Sequence, residues 1–183
     1  MEVLSDQELK KLLADSKTQR KGFEIMVCQY SEQLYWHIRR IVVTHEDAND
    51  VLQNSLVKAW NGLDSFHGDS KLITWLMRIV INESLDFIRK QKRITELSVD
   101  NVDTGLAQQL MADDYFDGNE TEALLQEAIA QLPEVQRTVF TLRYFDEMKY
   151  SDMSRVTGTS EGALKASYHI AVKKIRDFFE GHD

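Results

Sequence analysis

Cysteine and proline are almost missing from this sequence of 183 residues, which contains one of each, Cys28 and Pro133. A single cysteine excludes an internal disulfide, and its position in an apolar run predicts a small, buried, unreactive side chain. One proline and eight glycines leave few tight turns, so the chain is expected to be mostly helical. Without a disulfide to maintain, the composition favours a reducing, cytoplasmic location.

Long hydrophobic runs are also missing. No apolar stretch reaches the ~20 residues that a membrane-spanning helix needs, and residues 1–5 lack the basic start and apolar core of a secretory signal. We therefore predict no membrane insertion. With 43% hydrophobic and 28% charged residues, the composition is that of a globular protein with one domain or two small ones.

The common signatures of catalysis are lacking as well. There is no glycine-rich phosphate loop and no nucleophile elbow. The cluster of His45, Glu46, Asp47 and Asp50 matches no metal-binding spacing, and acids are favoured in the first turn of a helix. We predict a protein that is not an enzyme, with no cofactor and no bound metal.

Acidic charge dominates, with a net charge of −8, but it is unevenly distributed. Residues 1–93 have a net charge of +1, residues 94–120 contribute −7, and residues 121–183 contribute −2. The acidic middle segment contains seven carboxylates and no basic residue. A basic surface within the first segment is therefore compatible with the overall charge, although the isolated protein should bind DNA weakly.

Apolar spacing in the first half predicts four helices. Ser5 and Glu8 form a capping-box pattern that opens the first, over residues 5–20, and a longer second helix covers residues 23–43. Thr44 is expected to cap a third helix that ends near Gly62. A fourth should run from about Lys71 to Lys92, after the polar hinge at residues 64–70. These helices predict one compact domain over residues 1–93.

The apolar periodicity fades over residues 94–120, which we interpret as an acidic flexible linker, disordered or only locally helical when free. The acids in it repel one another: Glu96, Asp100, Asp103, Asp113, Asp114, Asp117 and Glu120. Residues 121–183 predict a second helical domain. Within it, a short helix at residues 150–156, a turn containing Gly158 and a final helix capped by Ser160 form a helix-turn-helix.

Two stretches resemble the RNA polymerase sigma factors of bacteria. The residues shared with their second region are Ala48 to Gln53, Lys58 to Trp60, Thr74 to Ile79, Asn82, Asp86 and Arg89. The Leu132-Pro133 pair and the helix-turn-helix with Lys165 resemble their fourth region. Because the additional regions of larger members are missing, the resemblance points to the short extracytoplasmic-function class. It implies an all-α protein with a region 2 domain (1–93), a linker (94–120) and a region 4 domain (121–183).

The resemblance also implies partners: the clamp and flap of core RNA polymerase, promoter DNA and an inhibitory anti-sigma factor. Three residues would bind core polymerase: Asp50, Gln53 and Asn54. Nine would bind and melt the −10 element, where opening DNA costs unstacking energy: Phe66, His67, Asp69, Ser70, Lys71, Arg78, Asn82, Asp86 and Arg89. Five would bind the −35 element: Ser160, Lys165, Ser167, His169 and Lys173. Family members often have an acid in place of Asn54 and arginines in place of Ser167 and Ile170.

Several alternatives remain open at this stage. The polar surfaces could be ordinary solvated helix faces. The linker could be only an acidic tether instead of a segment that enters the polymerase. Of the aromatic residues near the hinge, Trp60 and Trp75 are expected in the core. The whole chain could be a helix-turn-helix regulator that acts without polymerase. It could also be a degenerate sigma factor that acts as an interaction protein and sequesters a regulator.

Overall fold

The computed structural model describes residues 3–97, 106–114, 116 and 118–181, and the side chains of 95–97 and 109 lie outside this description. Within these ranges the secondary structure is helical and contains no strand, which confirms the all-α prediction. The helices are α1 (Asp6–Ala14), α2 (Gln19–Val42), α3 (His45–Gly62), α4 (Leu72–Leu97), α5 (Leu106–Met111), α6 (Glu120–Ala130), α7 (Glu134–Tyr144), α8 (Tyr150–Thr157) and α9 (Glu161–Glu180). No helix in these ranges has the length and apolar character to span a membrane.

The caps confirm the predicted starts of α1 and α3, whereas α1 ends at Ala14 and α2 begins at Gln19, four residues before the predicted Phe23. The Ser5 hydroxyl accepts from the backbone N–H of Glu8, whose carboxylate accepts in return from Ser5, so the capping box is complete. The Thr44 hydroxyl likewise accepts from the N–H of Asp47 at the start of α3. Each contact satisfies a backbone donor that the helix itself leaves unpaired, which is worth ~1 kcal/mol.

Helix α2 is the centre of the first half and packs against α1, α3 and α4. Its buried face includes Met26, Leu34, Ile38 and Ile41, which join one core with residues of the neighbouring helices. Cys28 lies away from this face and is exposed, so the prediction of a buried thiol was wrong. Its apolar sequence neighbours belong to a helix, in which adjacent residues point in different directions.

Part of the predicted linker forms helices. Helix α4 continues to Leu97, and α5 packs on α6 through Ala107, Leu110 and Ala123. The acids Asp100, Asp103 and Asp117 of the predicted linker lie outside the described residues. Asp113 accepts a hydrogen bond from the buried Arg39 of α2 at 2.5 Å, so one linker acid has a structural partner that local sequence patterns do not reveal.

Helices α8 and α9 form the helix-turn-helix. Gly158 ends α8 with φ of +70°, a left-handed conformation that favours glycine, and its N–H donates to the carbonyl of Ser154. The Ser160 hydroxyl then accepts from the N–H of Ala163 and caps α9, as predicted. Helix α7 begins at Glu134, so Pro133 is its N-cap and not, as predicted, its first helical residue.

Arg137 of α7 connects the two halves of the chain. Its guanidinium donates to the carbonyl of Ile41 at 3.1 Å and to the carbonyl of Ala130. These carbonyls lie at the ends of α2 and α6, where helices leave acceptors unpaired and favour a positive charge. Burial lowers the pKa of Arg137, with the nearby Glu134 acting in the opposite direction. A single side chain therefore caps two helices.

A second contact between the halves is the pair of His37 and Asp146. The His37 ring nitrogen Nδ1 lies 2.6 Å from an Asp146 carboxylate oxygen, and both side chains are buried. Beside them, the Arg40 guanidinium lies 4.1 Å from the centre of the Phe145 ring. Burial lowers the pKa of Arg40, although the Asp146 charge opposes that shift. In this arrangement α2 packs on α7, and α4 packs on α8.

Candidate functional site

Asp50, Gln53 and Asn54 form an exposed surface on α3, which we call the clamp face. They are exposed because Val51, Ser55 and Ala59 occupy the opposite, buried side of the helix. Val57 extends this surface and is 59% exposed, although the sequence analysis did not select it. An exposed valine one turn from Gln53 and Asn54 gives the clamp face an apolar element, as protein interfaces commonly have.

The two tryptophans differ in burial. Trp60 is 42% exposed and makes an edge contact with Phe23, with ring centroids 5.0 Å apart. The prediction that it lies in the core was therefore wrong. Trp75 is half-buried and packs against the core, with its ring centroid 4.9 Å from that of Phe66. Phe66 is thus held against α4 by a neighbouring aromatic ring.

The loop between α3 and α4 is fixed by α1. The Leu72 N–H donates to the Asp6 carboxylate at 2.7 Å, and the Lys10 ammonium donates to the Gly68 carbonyl at 3.0 Å. Asp6 and Lys10 also pair with each other at 2.9 Å. Sequence reasoning missed this role, because the partners are about sixty positions apart in the chain. The anchor leaves the hinge with a defined shape before any ligand binds.

This loop and one side of α4 together form what we call the melting face. In the loop, His67, Asp69 and Lys71 are exposed, while Phe66 and Ser70 are half-buried. On α4 the predicted residues Arg78, Asn82, Asp86 and Arg89 are all exposed. They are spaced by three or four residues and therefore form a continuous row on one helix face, as the sequence predicted.

A cavity of about 420 Å³ lies along this row. Asn82, Asp86 and Arg89 contribute polar groups to its lining, and Ile79 and Leu85 contribute apolar surface. An amide, a carboxylate and a guanidinium offer both donors and acceptors, and the two aliphatic side chains offer apolar contact. The combination suits a planar ligand with polar edges.

The end of the row borders the second half of the chain. Arg89 pairs with Glu134 of α7 at 3.1 Å, and Lys92 approaches the same carboxylate at 3.7 Å. Arg89 also lies 3.4 Å from Asp86. The basic side chains are about half exposed, and pairs of this kind contribute only about 0–1 kcal/mol each. Ligand binding could therefore replace them at small cost.

We call the five residues that were predicted for the −35 element the recognition face; they extend from Ser160, the N-cap of α9, to Lys173 in the second half of the helix. Ser160, Lys165, His169 and Lys173 are exposed and Ser167 is half-buried. The Lys165 ammonium lies 5.5 Å from the Tyr150 ring centre and 4.0 Å from the Glu161 carboxylate. These weak contacts orient the Lys165 side chain without occupying all three N–H donors of its ammonium group, so it can still contact a base or a phosphate.

Beneath this face, Tyr168 holds α9 against α7. Its ring stacks on Phe140, with centroids 5.8 Å apart, and burial raises the pKa of the Tyr168 hydroxyl. The half-buried phenol therefore stays neutral at ordinary pH. The recognition face thus sits on a helix that is fixed by packing on its opposite side through Leu164, Ala171 and Ile175.

Metal binding finds no support in the part of the chain that the structure describes, where no three potential ligands come together. His45, which stood in the candidate cluster, forms hydrogen bonds through both ring nitrogens. Nδ1 lies 2.7 Å from the Tyr35 hydroxyl and Nε2 lies 2.9 Å from the Asn49 amide. Its role is to join α2 to the start of α3.

Comparison with protein families matches both halves of the chain. Residues 26–94 match sigma-70 region 2, and residues 122–175 match sigma-70 region 4. The clamp face and the melting face fall within the first match, and the recognition face falls within the second.

Curated relatives are similar over most of the chain. The RNA polymerase sigma-H factor of Pseudomonas aeruginosa is 28% identical over 173 residues, which cover 85% of each chain. The ECF RNA polymerase sigma factor SigW of Bacillus subtilis is 28% identical over 184 residues, with 96% of this chain and 97% of the relative covered.

Two solved structures share the fold. CnrH in complex with the cytosolic domain of CnrY has a TM-score of 0.73 at 21% identity, covering 97% of this chain and 99% of the other. The sigma factor RpoE of Bartonella quintana, in complex with the anti-sigma factor NepR, has a TM-score of 0.69 at 24% identity, covering 87% and 98%. Because sigma-70 regions 2 and 4 both match in order, and an ECF sigma factor is matched over 97% of its length, the chain belongs to the sigma-70 family and is an extracytoplasmic-function sigma factor, which initiates transcription at specific promoters with RNA polymerase.

Proposed function

We propose that this sigma factor divides its work among the three faces described above. The clamp face binds core polymerase, the melting face binds and opens the −10 element, and the recognition face binds the −35 element. Region 4 additionally contacts the polymerase flap. The protein works in the cytoplasm and contributes no catalytic group, because the polymerase itself joins the nucleotides. The observation that supports this most is the polar row on α4 beside an anchored loop.

The melting face has the chemistry needed to hold an extruded base. Removing a base from the stack costs a few kcal/mol, which must be offset by stacking and hydrogen bonds in the new position. The exposed His67 and Asp69 side chains offer polar contacts in the loop, and Asn82 offers both a donor and an acceptor on α4. Because Asp6 and Lys10 fix the loop, little conformational freedom is lost on binding.

The recognition face has fewer charged donors than is usual in the family. Ser167 and Ile170 occupy positions where relatives commonly have arginine. Lys165, Lys173 and Lys174 remain as exposed cations. Since phosphate neutralisation supplies most of the sequence-independent affinity, region 4 alone should bind DNA weakly. Recruitment therefore depends on the polymerase holding the recognition face close to the promoter.

Because the recognition face and the melting face have different proposed roles, substitutions in them should cause different defects. Lys165→Ala should weaken closed-complex formation by about tenfold on promoters with the matching −35 base, because a direct base contact is worth ~1–3 kcal/mol. His67→Ala and Asn82→Ala should leave the closed complex nearly unaltered and reduce strand opening by about tenfold. Footprinting at low temperature measures the closed complex, and a fluorescent base analogue in the −10 element measures opening.

Pre-melted templates provide the control for this experiment. On a bubble that is already open at −10, the His67 and Asn82 defects should shrink, because part of the opening cost has been met. The Lys165 defect should persist where −35 contacts limit recruitment. Equal losses of closed complex for all three variants would contradict the proposal and would favour a regulator that binds only duplex DNA.

We also propose a dedicated anti-sigma factor as a partner. Both solved structures described above are complexes, one with the cytosolic domain of CnrY and the other with the anti-sigma factor NepR. The melting face and the recognition face must both be covered to silence the protein, so the partner should contact both halves. Purification of the tagged protein from uninduced native cells should recover a stoichiometric small protein and little polymerase. Recovery of polymerase alone, at equal stoichiometry before and after induction, would contradict this prediction.

A further inference from the structure

The side of α9 that faces solvent begins with small residues. Gly162, Ala163 and Ala166 are all exposed, on the side of the helix opposite the buried Leu164 and Ala171. Glycine is one of the least favourable residues inside a helix. A Cβ atom added at Gly162 would meet nothing within 4 Å, so no contact within the described chain requires a glycine at this position. Small side chains here let the helix backbone approach a ligand closely.

One turn further along the same side lies an exposed isoleucine. Ile170 is 46% exposed, although an aliphatic side chain of this size gains free energy when it leaves water. It follows Ala166 by four residues and precedes the exposed Lys173 and Lys174, so all four lie close together on the helix. An apolar side chain between a small surface and two cations fits a ligand that presents an apolar group beside phosphates.

Duplex DNA has one such group in the major groove, the C5-methyl of thymine. We propose that Ile170, supported by the small surface of Ala166, selects a thymine at one position of the −35 element by packing on its methyl group. Lys173 and Lys174 would then lie near the adjoining phosphates, which fix the register of the helix. The inference rests on the proposed −35 role of α9 and adds the specificity of one contact.

The test uses the holoenzyme assembled from the full chain and core polymerase. A −35 element is selected from a randomised promoter library, and each thymine in it is replaced singly by deoxyuridine, which removes only the methyl. At one position the wild-type closed complex should weaken by about fourfold, the effect expected for one buried carbon. Ile170→Ala should weaken binding to the thymine promoter by at least as much, and should make that position insensitive to the deoxyuridine replacement.

Val172 provides a matched control. It is 41% exposed on the same helix, but two residues from Ile170 and therefore about 160° away around the axis. Val172→Ala should retain the wild-type response to deoxyuridine. The inference would be overturned if no deoxyuridine replacement altered the affinity of the wild type. It would also be overturned if the fold-losses in affinity from Ile170→Ala and from deoxyuridine multiplied when the two changes were combined. If Lys165→Ala and a scrambled −35 element also leave the affinity unchanged, the proposed −35 role of α9 is wrong as well. If those two changes weaken binding but no deoxyuridine replacement does, only the thymine contact is wrong.

Discussion

Replacement of Asp50 by Arg together with Gln53 by Ala is expected to reduce binding to core polymerase by at least about 100-fold and to leave the helical fold intact. Both side chains are exposed on α3 and make no contact that supports the core. Reversing a charge within an interface replaces attraction by repulsion, which costs several kcal/mol. Co-purification and titration of labelled protein with core polymerase measure the loss, and circular dichroism checks the fold.

The chain offers a matched control for this substitution. Glu32 and Gln33 are adjacent, exposed and on α2, away from the clamp face. Glu32→Arg with Gln33→Ala introduces the same change in charge and nearly the same change in size. This control should bind core polymerase as the wild type does. If the Asp50 and Gln53 variant binds equally well, the clamp face has been placed on the wrong surface.

Removal of the Arg137 side chain should cause the largest loss of stability. Arg137→Met keeps most of the apolar length but leaves the carbonyls of Ile41 and Ala130 without their donor. An unsatisfied buried polar group costs ~1–3 kcal/mol, so the free energy of unfolding should fall by about 3 kcal/mol. Urea denaturation followed by circular dichroism measures it.

Arg155→Met is the appropriate control, since Arg155 is 72% exposed and lies 3.7 Å from Asp152 in a surface pair. The control should change the free energy of unfolding by less than about 0.5 kcal/mol. Equal stability of the Arg137 variant and the wild type would show that the contact between α2, α6 and α7 contributes little in solution.

The local features of this fold were predictable from sequence because local chemistry determines them. Ser5, Thr44 and Ser160 accept from backbone N–H groups three residues ahead, so each helix start depends on residues that are neighbours in the chain. The exposed row on α4 followed from helical periodicity in the same way. The predicted residues of α4 therefore lie on the surface that periodicity assigned to them.

The remaining features depend on residues far apart in the chain. The spacing around Cys28 and Trp60 could not tell which side of each helix would meet a partner helix, and both proved exposed. Likewise, nothing near Asp6 or Lys10 indicates a loop some sixty residues later. The capping of α2 by Arg137 spans 96 positions. Such contacts are decided by packing, which a single sequence without related sequences does not encode in a local pattern.

Run-off transcription with purified core polymerase tests the central claim most directly. On linear templates bearing a promoter selected by the holoenzyme, a transcript of one defined length should appear only when this protein is added. The Asp50 and Gln53 variant should abolish that transcript, and the Glu32 and Gln33 control should preserve it. Specific binding of the protein to duplex DNA without any transcript from core polymerase would contradict the account.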